Sequence, residues 1–261
     1  MTLLRTISLA ALSGIAVPAL LAAQGGRGME PPKNLQVLPK DTPRPQVVAL
    51  MQNFTAALGV RCEHCHAAAE GAPAAGAPGG GRGGPPLDFA ADTKDEKKIA
   101  REMLKMVMDI NGKYLPLTGR TITERNRVSC ETCHHGLVRP QTLRAALANA
   151  VDAKGADSAT ALYRDLRTKY YGTGAYDFGE FSLPRAAMEL AQANQRPAAL
   201  ALLKLNLEFY DKSAPTYQTM AQISLAGGDT AAAVAALKKA VELQPNNPQL
   251  QGMLQRLAPK P

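Results

Sequence analysis

All four cysteines of the chain fall in two copies of one pattern, Cys62-Glu63-His64-Cys65-His66 and Cys130-Glu131-Thr132-Cys133-His134. Each copy reads Cys-X-X-Cys-His. Thiols three positions apart sit on one helical turn, where both can bond the two vinyl groups of a single porphyrin. The His that follows can then set its imidazole beneath the iron. The pattern therefore points to two covalent c-type haems, attached through Cys62 and Cys65 and through Cys130 and Cys133. His66 and His134 would be the proximal iron ligands. Two disulfides in an exported protein, or one zinc held by four thiolates, would use the same cysteines. Neither requires a His after each second Cys. Zinc pairs lie about 15–20 residues apart, whereas 64 residues separate Cys65 from Cys130. The strand–helix setting of a thioredoxin-like motif is missing as well.

Histidine is then exhausted. The remaining two, His64 and His135, lie inside or directly after a motif, where neither readily reaches the far face of its own haem. The sixth ligand is expected to be Met, or else the iron is open.

Two helical segments could supply that Met. The first follows Asp41-Thr42-Pro43-Arg44-Pro45, a start signal with Pro in the first turn. Val47, Leu50, Met51, Phe54, Ala57 and Leu58 recur at three and four, and Gly59 ends the run just before Cys62. The second is predicted to open on a capping box at Thr93-Lys94-Asp95-Glu96 and to stop at Asn111-Gly112. Its expected buried stripe is Ile99, Met103, Met106/Val107 and Ile110, with Met108 off the stripe. Met is commonly flexible core filler, but here an iron would need a ligand.

The text around these residues resembles the cytochrome subunit of photosynthetic reaction centres. The matching stretches are Thr55-Ala56-Ala57-Leu58-Gly59-Val60-Arg61-Cys62 through His66, and Ala100-Arg101-Glu102-Met103-Leu104-Lys105-Met106 with Ile110-Asn111. They continue with Val128-Ser129-Cys130 through His134, then Gly136 and Pro140. The resemblance spans about residues 35–140. It implies haems that lie along Met-donating helices, with Met51 the ligand at the first site and Met103 at the second. The chain departs from the family in carrying two motifs where members typically hold four, in lacking a lipid-attachment Cys, and in a longer loop before Cys130. That loop leaves Met106 or Met108 as alternatives to Met103.

Around these segments the chain divides simply. Residues 1–23 read as a signal peptide, with Arg5 ahead of an apolar run and Ala22-Ala23-Gln24 as the cleavage site. An uncleaved anchor is the alternative, though the run of about 15 residues includes Pro18 and spanning takes about 20. Export to the periplasm follows. A dihaem domain is expected over 30–145, interrupted at 71–86 by an insertion in which eleven of sixteen residues are Gly or Pro, a flexible composition. Over 155–258 the stretch from Ala199 to Phe209 aligns with that from Ala233 to Leu243 at an offset of 34, the tetratricopeptide period. With no Trp, five Phe and abundant Ala and Leu, the fold class is all-α: haem-binding helix–turn segments followed by tetratricopeptide-like hairpins.

The formal charge of +8 comes without an aromatic–basic module, so nucleic acid is not an expected partner. An acidic or membrane-bound redox protein is, with a further protein partner for the repeats. Electron transfer without catalysis is the expected function. A dihaem peroxidase would need one open iron and a nearby acid–base group, for which no spare His exists, though a Glu could serve. A haem-bearing scaffold is the third possibility.

Overall fold

The computed structural model describes residues 31–72 and 85–257. The signal segment 1–23 lies outside the described residues, as do 73–84, the greater part of the 71–86 insertion. The described residues are predominantly helical, in keeping with the all-α expectation. No helix among them is long and apolar enough to cross a membrane.

Helix α1, Arg44–Leu58, begins after Pro43 with Pro45 in its first turn and ends at Gly59, whose φ of 66° reverses the chain. Cys62–His64 follow as a single 3₁₀ turn. Two short antiparallel strands, β1 (Ala67–Ala68) and β2 (Leu87–Asp88), then pair Ala67 with Asp88 and Ala68 with Leu87. They close the base of the insertion.

Helix α2, Asp95–Asp109, departs from expectation at both ends. Thr93 forms no capping box; Lys94 stands at the N-cap without a side-chain capping bond. Asp95 and Glu96 in the first turn still suit the helix dipole. Nor does Asn111-Gly112 stop the helix. A π turn at Ile110–Tyr114 and a 3₁₀ turn at Leu115–Thr118 carry the chain on to Gly119, with φ 69°. The expected buried stripe is not buried: Ile99 is 57% exposed, Met103 37% and Met106 46%. Helix α3, Cys130–His134, is the second motif itself.

From residue 143 onward the chain is a stack of helical hairpins. Helices α4 (Leu143–Lys154) and α5 (Ala156–Tyr170) form one, α6 (Ser182–Gln192) and α7 (Arg196–Phe209) the next, α8 (Ala214–Ala226) and α9 (Thr230–Leu243) the third, and α10 (Pro248–Leu257) packs on α9. Helices α7 and α9 start and end 34 residues apart. Their equivalent residues are equally enclosed, Ala199 with Ala233 and Leu203 with Leu237, all at 0% exposure. The stack begins earlier than residue 155, because Leu143, Ala146, Leu147 and Val151 of α4 belong to the same core as α5 to α7.

The two halves differ sharply in their interiors. Both hydrophobic cores lie in the stack. Among described residues before Pro140, only Ala57, His66, Asn111 and Leu137 are buried.

Candidate functional site

Met51, Cys62, Cys65 and His66 all line one cleft of about 760 Å³, within the 300–1,000 Å³ usual for ligand and cofactor sites. One wall is the apolar face of α1, from Val47 through Leu50 and Phe54 to Leu58, and the opposite wall is Ala100, Arg101 and Leu104 of α2. The local chain explains how the motif reaches the cleft. Gly59 turns it back, Val60 donates to the Thr55 carbonyl at 3.1 Å, and the next turn closes as Cys65 and His66 donate to the Cys62 carbonyl at 3.2 and 3.0 Å. Both thiols therefore lie on one turn with His66 directly beyond.

His66 is buried, and its imidazole is held below its ordinary basicity by that burial, then by Lys97, Lys94 and Arg101. It is neutral at neutral pH and so able to coordinate a metal. Phe89 packs edge-on against it, ring centres 5.0 Å apart. The placement of Phe89 comes from Lys97, whose Nζ donates to the Phe89, Ala90 and Ala91 carbonyls at 3.0, 3.0 and 2.7 Å. Lys97 and Arg101 share the Asp92 carboxylate at 3.1 and 2.8 Å. The Arg101 bond above all holds that carboxyl well below the usual carboxylate range. The strand and turn from Leu87 to Ala91, which the sequence pattern left without a role, thus complete the first site.

The second motif is a helical turn capped from within: the Ser129 N–H donates to Thr132 Oγ1 at 3.0 Å. His134 Nδ1 lies 2.7 Å from the Leu137 carbonyl. A carbonyl can only accept, so Nδ1 carries the proton and Nε2 keeps its lone pair for a metal. Cys130 and Cys133 lie on this turn. Met103, Met106 and Met108 do not line the first cleft, and all three are substantially exposed on α2.

Asn111 was read as a helix stop and is instead a clamp. Its Nδ2 donates to the Val107 and Val128 carbonyls at 2.9 and 2.8 Å, and its Oδ1 accepts the Val128 N–H at 2.9 Å. The end of α2 is thereby fixed two residues ahead of Cys130, which makes the length of the intervening loop immaterial to the motif. Nothing local in the sequence signalled this, because the partner, Val128, lies seventeen residues on.

These residues fit covalently held haem. The thiols of Cys65 and Cys130 are pushed up by burial, opposite to the lowered values of redox-active thiols. Among the described residues no three His, Cys, Asp or Glu side chains converge on a common metal position, which argues against a four-thiolate zinc centre. Among the described residues before Pro140 only four are buried, so this part has little apolar core of its own. Its apolar side chains instead line a cleft or stand exposed on α2, as expected if large flat groups complete its interior. No protein-family model matches the chain, and no curated protein matches it.

Proposed function

We propose that this chain is an exported dihaem c-type cytochrome that passes electrons between protein partners. Cys62, Cys65, Cys130 and Cys133 would tether the haems, His66 and His134 would ligate them, and Met51 and Met103 would complete the two irons. Each haem, when bound, supplies a one-electron iron couple. The chain's part is to orient the imidazoles, exclude water and set the surrounding charge.

One observation carries the reading: the Met51 thioether, two thiols and the His66 imidazole line a single, mainly apolar cleft, among described residues that have almost no core of their own. The two-His, four-Cys arithmetic of the motifs agrees with it. Basic residues at the cleft favour an acidic redox partner. The hairpin stack, read as tetratricopeptide-like, offers the surface for a second protein.

The test is the mass of the matured protein, with haem-specific staining after denaturation. The proposal expects the increment of two covalent haems, reduced to one in Cys62→Ser/Cys65→Ser and in Cys130→Ser/Cys133→Ser. A bare polypeptide mass refutes it.

A further inference from the structure

We infer that the two sites are built to different reduction potentials, the one at His66 the higher, so that an electron accepted at the second site passes to the first. This rests on the haem reading above. Three separate features of the chain act in the same direction.

The proximal imidazoles are unequally supported. His134 donates from Nδ1 to the Leu137 carbonyl, which gives the ring partial imidazolate character and favours ferric iron. The buried Nδ1 of His66 has no hydrogen-bond partner among the described residues. The backbone explains the difference. After His134, two residues in the left-handed region, His135 at φ 48° and Gly136 at φ 85°, curl the chain so that the Leu137 carbonyl returns to the ring. After His66 the chain runs out instead as β1, paired to β2. Ala69, at the position matching Leu137, donates to the Pro86 carbonyl at 2.8 Å, and its own carbonyl accepts the Ala72 N–H at 3.0 Å.

Charge acts the same way. The first cleft is lined by Lys33, Arg44, Arg61, Lys97 and Arg101 and by Asp88; with Asp92, which pairs with Lys97 and Arg101, and Glu63, which pairs with Arg61, the acids number three against five cations. Ferrous haem carries one positive charge fewer than ferric, so this excess of cations favours the reduced state. Burial adds to it: His66 is 9% exposed whereas His134 is only half-buried, and a drier site disfavours the extra ferric charge.

The experiment is an optical redox titration of the full-length matured protein, with haem content first fixed by mass. Two one-electron steps are expected, separated enough for the electron to prefer one site at least about tenfold, or 59 mV. Arg101→Gln removes a cation that lines the first cleft. It should lower the upper step and leave the lower one in place. Arg61→Gln, at a side chain 78% exposed and so without consequence for folding, should do the same to a smaller extent. Coincident steps, or movement of the lower step in either variant, overturn the inference while leaving the haem reading intact. A mass lacking haem removes the reading itself.

Discussion

Gly59 and Gly136 cross backbone to backbone. A Cβ placed on Gly59 would lie 2.6 Å from the Gly136 carbonyl oxygen, and Gly136 donates its N–H to the Ala57 carbonyl at 2.8 Å. The turn that ends α1 and the exit of the second motif are thus joined at one point, and α1 packs on α3 through it.

A paired substitution separates close approach from backbone strain. Gly59 and Gly119 both sit in the left-handed region, at φ 66° and 69°, but nothing lies within 4 Å of a Cβ built on Gly119. Gly119→Ala should cost about 1–2 kcal/mol in chemical denaturation, the strain alone. Gly59→Ala should cost clearly more, because the obstructing atom is backbone. Equal costs would mean that the crossing does not constrain the fold.

The Asn111 clamp predicts a large effect from one side chain nineteen positions ahead of Cys130 in the sequence. Asn111→Leu strands the Val128 N–H and carbonyl, and should destabilise the protein by about 2–3 kcal/mol. Haem attachment at Cys130 and Cys133, read by mass, should fall while attachment at Cys62 and Cys65 persists.

Asp92 gives a pH dependence with a definite sign. Its folded carboxyl titrates below the 3.8 of an unperturbed aspartate because Arg101 and Lys97 bond the charged form. The native state therefore favours the ionised group. Its stabilisation is present above that value and is lost as pH falls below it. Asp92→Asn should melt earlier than the parent at neutral pH, with the gap closing in acid. A gap that widens below pH 3.8 would contradict the arrangement.

The sulfur ligands proposed for the two haems can be separated by spectroscopy. Met51→Ala should remove about half of the far-red Met-to-iron absorption of the oxidised protein, and Met103→Ala the other half. Retention of the full band in Met103→Ala, with loss in Met106→Ala or Met108→Ala, would reassign the second ligand along α2.

In the stack, Leu203 and Leu237 occupy equivalent, fully enclosed positions. Their Ala variants should each cost about 2–5 kcal/mol and match closely, as repeats with the same local packing require. A cost confined to one would show that the 34-residue spacing does not imply equivalent contacts.

Helices α1 and α2 and the 34-residue offset of the repeats were legible because each is a local pattern that a window of the chain displays. The ends of α2 were misread for the converse reason. Thr93 and Asn111 have the composition of a cap and a stop, but Asn111 is taken up by Val128, seventeen residues on, and a distant partner overrides local preference. Phe89 was passed over because it follows a Gly/Pro-rich stretch and meets His66 only through the β1–β2 pairing. Helix α4 fell mostly between the two expected domains, which ended at 145 and began at 155, whereas its buried face joins it to α5 and α6.

What the sequence determined alone is the inventory on which the haem proposal rests: two Cys-X-X-Cys-His texts, each short enough to lie on one turn, since that depends only on near neighbours. What only the tertiary structure decided is the inequality of the two sites. Identical Cys-X-X-Cys-His texts leave their imidazoles in different company, because a strand pulls the chain away from His66 while two left-handed residues fold it back onto His134. Hydrogen bonding, burial and charge are properties of the surroundings, and the surroundings are assembled from residues far apart in the chain.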